Sequence, residues 1–305
     1  MRDLIIVGGG PAGLTAGLYA ARARVDVVLF ERMAPGGQVL LTDIVENYPG
    51  FPDGISGFEL MDKMKRQAES FGLPIENREV RGFTLSPDNK VVSTDKGDEQ
   101  TKALILACGA NPKKLGIEGE QLLIGKGVSY CATCDGPFYR DQEVAVIGGG
   151  DTAVEEALFL TRFASKVYLI HRRDQLRATK ILQERVIGHE KVHILWDTIP
   201  VKILGQTGVE GIEIQNVKTG KTSVLRVQGV FVFIGFEPNS ELIKGLLELD
   251  DRGFIITNAE METSVPGVFA AGDIRSKNLR QISNAVGEGA TAAFAAERYL
   301  ENIHG

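Results

Sequence analysis

Continuous apolar runs alternate with helix-period patterns near the start of the chain, and the same alternation returns in its middle. Leu4-Ile5-Ile6-Val7 has no polar interruption, as a strand buried on both faces of a parallel sheet requires. After a glycine-rich turn, Leu14, Leu18 and Ala21 recur at helical spacing, and residues 25–30 predict a second strand that ends at Glu31. Residues 57–71 read as an amphipathic helix with Leu60, Met64 and Phe71 turned inward. Residues 80–96 predict short antiparallel strands, and 103–108 a buried strand closed by Gly109-Ala110-Asn111-Pro112, in which Cys108 reads as a small buried residue.

A second copy of the opening pattern then begins. Residues 143–147 predict a strand, followed by a helix to Phe163 and a strand over 166–170. Shorter strands follow at 201–204, 211–216 and 223–227, and a buried one at 230–234 is closed by Gly235-Phe236-Glu237-Pro238-Asn239. That closing segment repeats the earlier one: a core strand, a glycine, then a proline. The two read as crossings into and out of an inserted domain. The last segment, a strand over 267–273 and a small-residue helix over 287–300, is too short to bury its own apolar face and needs the N-terminal sheet. The expected boundaries are 1–112 and 240–305 for the outer domain and 113–239 for the insertion.

Composition narrows the picture. At 305 residues the chain exceeds the size at which one core usually suffices. A hydrophobic fraction of 43 % and a charged fraction of 24 % are those of a soluble globular protein. A net charge of −6 argues against nucleic acid or an anionic membrane as the main partner. No apolar run approaches a membrane span, and the first strand begins too early for a signal peptide, so an intracellular, cytoplasmic protein is expected.

Candidate chemistry sits in three places. Gly8-Gly9-Gly10-Pro11-Ala12-Gly13 lies between a strand and a helix, with the acid Glu31 18 residues past Gly13. That is the setting in which glycines let the backbone approach a pyrophosphate and the acid binds a ribose hydroxyl. Gly148-Gly149-Gly150-Asp151-Thr152-Ala153 repeats it. Glu31 follows Gly8 by 23 residues and His171 follows Gly148 by 23, so a basic group, with Arg172, Arg173 and Arg177 behind it, stands where the first copy has its acid. Basic residues there suit the 2′-phosphate of NADP(H), and the acid suits the unphosphorylated ribose of FAD or NAD. Pro35-Gly36-Gly37-Gln38 reads either as a plain turn or as backbone lying against something flat.

The third place is Cys131-Ala132-Thr133-Cys134-Asp135. The pair could be half a zinc site, but the only other cysteine is Cys108 and no histidine pair has finger spacing. It could be a structural disulfide, for which the chain shows no sign of export. A redox-active dithiol fits better, with Asp135 placed to move a proton. His189-Glu190-Lys191-Val192-His193 matches a zinc-protease motif, but Gly188 precedes it and a strand pattern follows, so the helix that motif needs is not expected. No metal site is expected.

In combination these segments resemble the low-molecular-weight thioredoxin reductases of bacteria, over the whole chain. Gly8 to Gly13, Gly37-Gln38, Cys131 to Asp135, His171-Arg172-Arg173 with Arg177, and Gly272-Asp273 with Arg280-Gln281 carry the resemblance. It implies an α/β fold of two Rossmann-like nucleotide-binding domains, each of three-layer ββα type, with the NADPH domain inserted into the FAD domain. FAD would be held by Gly8, Gly10, Pro11, Ala12, Gly13 and Glu31, with Asp273 on the ribityl chain. Gly37, Gln38, Asn47, Arg280, Gln281 and Ile282 would line the flavin. NADPH would be held by Gly148, Gly150, Asp151, Thr152, His171, Arg172, Arg173 and Arg177. Cys134 would face the flavin, Cys131 would attack the disulfide of thioredoxin, and Asp135 would serve as acid and base. A homodimer is implied, as is rotation of the inserted domain between half-reactions. The chain departs from the family pattern at Cys108, where Thr is frequent, and at Tyr130, just before the dithiol.

Overall fold

The structure is a computed structural model, and it describes residues 1–304 other than Asp43 and Glu46, with the backbone alone of Leu41 and His304. Strand β1 (Arg2–Val7) runs through the first glycine turn into helix α1 (Pro11–Arg22) and back to β2 (Val27–Glu31). Helix α2 (Gly57–Ser70) opens on Ser56, whose hydroxyl accepts a hydrogen bond from the Glu59 N–H at 3.1 Å, satisfying one of the free donors of the first turn. Then come β3 (Ile75–Asn77), β4 (Val80–Leu85), β5 (Lys90–Thr94) and the long β6 (Gly97–Leu106).

β7 (Ala110–Pro112) leads onward to α3 (Glu120–Leu123), β8 (Val128–Ser129) and α4 (Ala132–Asp135). The repeat follows as β9 (Glu143–Gly148), α5 (Asp151–Leu160), β10 (Lys166–Ile170), α6 (Lys180–Ile187) and β11 (Val192–Leu195). After β12 (Thr198–Leu204), β13 (Gly211–Asn216), β14 (Thr222–Leu225) and β15 (Gly229–Phe233), the strand β16 (Phe236–Pro238) pairs with β7. The chain ends with β17 (Val268–Ala270) and α7 (Ile282–His304). It forms two compact units, one of Met1–Asn111 with Glu237–Gly305 and one of Pro112–Phe236.

In the first unit, parallel strands run in the order β3-β2-β1-β6, and β17 adds to the far half of β6. The near half of β6 pairs antiparallel with β5, which turns back to β4. Side chains alternate across the sheet with period two. Leu4 and Ile6 face a core shared with α1, α2 and α7, while Ile5 and Val7 face one with Val92, Ile243, Leu247 and Ile255. The second unit repeats the plan. Its parallel sheet is ordered β11-β10-β9-β15-β8. Val144 and Val146 pack toward the α5 and α6 side, and Ala145 and Ile147 toward the antiparallel β12-β13-β14 sheet. Each unit is therefore three layers deep.

Two expectations need correction. Phe71 does not join the inner face of α2. The helix ends at Ser70, Phe71 is 44 % exposed, and the Arg22 guanidinium lies 5.3 Å from its ring centre. Met61 takes the inner place, beside Leu60 and Ala68. Cys108 also lies past the end of its strand and is half-buried, at the rim of the core.

The C-terminal helix packs closely on the first one. A Cβ added at Gly289 of α7 would stand 2.2 Å from the Ala12 carbonyl oxygen of α1, with backbone on both sides of the clash. Gly289→Ala is expected to cost about 1–3 kcal/mol through forced separation of the two helices. Urea unfolding of the variant against the parent measures that loss.

Candidate active site

The first glycine loop is built by close approach. A Cβ at Gly8 would lie 2.4 Å from the Ala107 carbonyl oxygen, and one at Gly13 would run into the carbonyl of Gly8. At Gly10 a Cβ would meet nothing within 4 Å, so the loop is tight beneath and open above. Gly10 is the N-cap of α1 and no side chain caps the helix, which leaves the first-turn N–H groups of Ala12 and Gly13 for a ligand; Pro11 has none to satisfy.

The other residues gather around this opening. Glu31 Oε2 accepts from Gly9 N–H at 2.7 Å and Oε1 from Met33 N–H at 3.0 Å, and each oxygen keeps a lone pair for a hydroxyl. Gly36 N–H donates to the Gly9 carbonyl at 2.8 Å, and a Cβ at Gly37 would lie 3.5 Å from the Gly10 Cα. Asp273 follows Gly272, which abuts Ala12. Its Oδ1 is buried without a hydrogen bond among the described residues, with Lys277 Nζ 3.1 Å away as an ion-pair partner. An uncapped helix start, a carboxylate with spare lone pairs and a buried acceptor suit a dinucleotide whose pyrophosphate, ribose and polyol need those groups.

Two side-chain chains extend the site. Gln38 Nε2 donates to Asn111 Oδ1 at 2.6 Å, Asn111 Nδ2 to Asn239 Oδ1 at 2.9 Å, and Asn239 Nδ2 to the Cys108 carbonyl at 2.7 Å. Asn47 Nδ2 donates to Gln281 Oε1 at 3.1 Å. Arg280 donates to the Lys277 carbonyl at 3.0 Å and stacks on Phe254 at 4.3 Å, and burial lowers its pKa. Ile282 opens α7, half-buried against the core.

The sequence reading missed Asn111, Asn239 and Glu288. The 6 % exposed carboxylate of Glu288 accepts from Gly272 N–H at 2.7 Å and pairs with Arg275 at 2.7 Å and Lys277 at 3.2 Å, holding the turn that presents Asp273. An acid set among the small residues of α7 was the available signal.

The second glycine loop repeats the first. A Cβ at Gly148 would lie 2.5 Å from the Phe233 carbonyl oxygen, one at Gly150 would meet nothing within 4 Å, and α5 has no side-chain cap. Asp151 Oδ1 accepts from Thr179 N–H at 2.7 Å, Arg177 N–H donates to the Gly149 carbonyl at 2.6 Å, and Thr152 is exposed beside them. Arg172, Arg173 and Arg177 are exposed. His171 is not: it is 4 % exposed, Nε2 lies 3.0 Å from the Gln175 carbonyl, and its ring lies where a side chain on Gly149 would go. Burial lowers its pKa. It braces the loop from within.

The dithiol occupies the start of α4. Cys131 and Cys134 form a disulfide with Cα atoms 5.3 Å apart, and both are half-buried, as is Asp135. Cys131 Sγ accepts from Cys134 N–H at 3.2 Å and lies 3.3 Å from Thr133 Oγ1. Ser129 Oγ accepts from Cys131 N–H at 3.0 Å and lies 3.2 Å from the Cys131 carbonyl, to which it donates. His189 sits in a turn after α6 and His193 in β11, so the zinc-protease register does not form, and no cluster of potential metal ligands occurs among the described residues.

Two groups in the chain test the electrostatics. Desolvation, and next the Glu31 charge, pushes the Cys108 thiol up to about 12, and its Sγ donates to the Val7 carbonyl at 3.5 Å. After reduction, iodoacetamide at pH 8 is expected to label Cys131 and Cys134 but not Cys108, and all three after denaturation, as read by peptide mass spectrometry. On α5, Glu156 Oε2 is buried without a hydrogen bond among the described residues, and burial, then Glu155, pushes its carboxyl up to about 7. The folded state then holds a proton that the unfolded chain has lost, so its contribution falls as pH rises from the ordinary carboxylate range to about 7. Glu156→Gln is expected to raise Tm at pH 8 and to leave it nearly unchanged at pH 4.5, in melts across that range.

Comparison with known proteins agrees with this geometry. A family model described as pyridine nucleotide-disulphide oxidoreductase matches residues 2–289. A protein named thioredoxin reductase from Peptoclostridium litorale is 47 % identical over 307 residues, 99 % of this chain and 98 % of that one. The bifunctional thioredoxin reductase/thioredoxin of Mycobacterium leprae is 46 % identical over 98 % of this chain and 66 % of its own length. The crystal structure of thioredoxin reductase from Streptococcus pyogenes superimposes with a TM-score of 0.94 at 47 % identity, covering 99 % of both chains. The chain belongs to the pyridine nucleotide-disulphide oxidoreductase family, among the bacterial thioredoxin reductases.

Proposed function

We propose that this enzyme carries electrons from NADPH through FAD and the Cys131–Cys134 pair to the disulfide of thioredoxin. The observation that carries the reading is a disulfide at the start of α4 in the unit whose glycine loop is followed by exposed arginines. FAD supplies what side chains lack, accepting a hydride from a nicotinamide and passing on an electron pair to a disulfide. Gly8, Gly10, Pro11, Ala12, Gly13 and Glu31 would hold its adenosine and pyrophosphate, Asp273 its polyol, and Gly37, Gln38, Asn47, Arg280, Gln281 and Ile282 would line its ring. Gly148, Gly150, Asp151 and Thr152 would hold the NADPH pyrophosphate. Arg172, Arg173 and Arg177 would take the 2′-phosphate in charge-assisted hydrogen bonds, with His171 supporting their loop.

The cysteines then divide the work. In the disulfide the Cys131 sulfur accepts from the Cys134 N–H and lies beside the Thr133 hydroxyl, and after reduction the same two donors would favour a thiolate there. That thiolate attacks the partner disulfide, forming a mixed disulfide and releasing one partner thiolate. Cys134 attacks the Cys131 sulfur, closes the ring and releases the second. Asp135 gives and takes the protons these thiols exchange. The fused thioredoxin of the Mycobacterium leprae relative supports thioredoxin as the partner.

Because the dithiol and the second glycine loop share one unit, turning of that unit about the two crossing strands, β7 and β16, would present each in turn. A cytoplasmic homodimer without nucleic acid or membrane partners completes the reading. The charge of −6 supports the lack of a nucleic-acid or anionic-membrane partner, and no helix among the described residues is long and apolar enough to cross a membrane.

Anaerobic titration of the FAD-loaded enzyme tests this. NADPH is expected to bleach the flavin at low concentration, and oxidised thioredoxin to restore it; no bleaching by NADPH or NADH would remove the second nucleotide site from the reading. Arg172→Ala, Arg173→Ala and Arg177→Ala are each expected to raise KM for NADPH by roughly 10–100-fold, as loss of a charge-assisted hydrogen bond implies, without a matching change for NADH.

A further inference from the structure

Three side-chain amides in the first unit form a relay that has a direction. Gln38 lies in a short helical turn, Gly37–Leu41, which the close approach of Gly36 and Gly37 to Gly9 and Gly10 sets beside the first glycine loop. Its Nε2 donates to Asn111 Oδ1 at 2.6 Å, Asn111 Nδ2 donates to Asn239 Oδ1 at 2.9 Å, and Asn239 Nδ2 donates to the Cys108 carbonyl at 2.7 Å. The relay joins segments 73 and 128 residues apart, and all of it belongs to one compact unit.

The last member decides the sense of the others. A backbone carbonyl can only accept, so Asn239 has to turn its Nδ2 toward Cys108 and its Oδ1 toward Asn111. Asn111 then offers Nδ2 to Asn239, which leaves its Oδ1 for Gln38, and Gln38 has to meet that oxygen with Nε2. Reversing one amide alone sets like groups against each other, and reversing all three sets Asn239 Oδ1 against the Cys108 carbonyl. The anchor is held by main chain. The Ala107 N–H donates to the Val7 carbonyl at 2.8 Å, and the Asn239 N–H to the Gly109 carbonyl at 3.1 Å. Gln38 is exposed, and the relay turns its Oε1 away from Asn111 as an acceptor.

That sense matters for an isoalloxazine ring, whose polar edge carries mostly carbonyl oxygens and bare nitrogens. Oxidised, the ring has a single N–H, and reduction adds at least one more. An outward amide N–H would suit the acceptors of the ring, whereas an outward oxygen suits only its N–H groups. We propose that Asn239 and Asn111 are positioning residues that fix Gln38 with its oxygen outward, as an acceptor for a ring N–H of bound flavin. This rests on the reading of the first glycine loop as the FAD site, with Gln38 lining the ring.

The test uses the full-length enzyme loaded with FAD carrying heavy nitrogen and carbon isotopes in its ring, followed by NMR in both redox states, with the Kd for FAD measured beside it. Gln38→Ala is expected to move a ring N–H proton resonance upfield, and Asn111→Ala and Asn239→Ala to move the same resonance the same way. Each should raise Kd for FAD by about 2–10-fold, as loss of one neutral hydrogen bond implies. The double variant of Asn111→Ala with Asn239→Ala should move the resonance no further than the larger single shift, since both changes cut one relay. A resonance that Gln38→Ala moves but the two asparagine variants leave in place would overturn the proposal and keep Gln38 in the site. Shifts confined to the ring carbonyl carbons would also overturn it, because Gln38 would then present its N–H. Failure of the parent enzyme to retain FAD would instead overturn the reading of the first site on which the proposal rests.

Discussion

In each unit, a carbonyl at the end of a neighbouring strand comes so near the first glycine that no side chain fits between. Ala107 does this to Gly8 and Phe233 does it to Gly148. Both glycines also have positive φ, at 107° and 155°, where a side chain would be strained. That closeness lets the strand turn at once into its helix, so the first-turn N–H groups open on the strand ends rather than being buried beneath them. The parallel sheets, the uncapped helices and the two nucleotide sites proposed for them all follow from it.

The same scaffold, used twice, serves different ends through what sits behind the loop. In the first unit, the Glu31 carboxylate reaches the Gly9 N–H and retains lone pairs for a hydroxyl. In the second, the His171 ring fills the place under Gly149, and positive charge is carried outward by exposed Arg172, Arg173 and Arg177. In the proposed reading, one position in the repeat changes from ligand acceptor to internal brace, and recognition of charge moves to its neighbours.

The dithiol depends on a different kind of control. Its chemistry is set by a few donors around one sulfur, so small rotations of the chain matter more there than in a packed core. The Thr133 hydroxyl and the Cys134 N–H contact the Cys131 sulfur, and the Ser129 hydroxyl holds the Cys131 backbone. Glu288 plays a comparable part around Asp273, with Gly272, Arg275 and Lys277 converging on one buried carboxylate.

Much of this was legible in order along the chain. Continuous apolar runs place β1 and β9 in double-sided cores, and the equal 23-residue spacings identify the duplicated strand–loop–helix and its exchange of Glu31 for His171. A CxxC followed by an acid names the redox chemistry, because those signals depend on residues close in sequence. Only the tertiary structure decided which way individual side chains point. It buried His171, exposed Phe71, linked Gln38 to Asn111 across 73 residues and Asn111 to Asn239 across 128, and closed Tyr130 on Glu120. Spacing sets local geometry, but the partner of a polar group and the water it loses are fixed by elements distant in the chain.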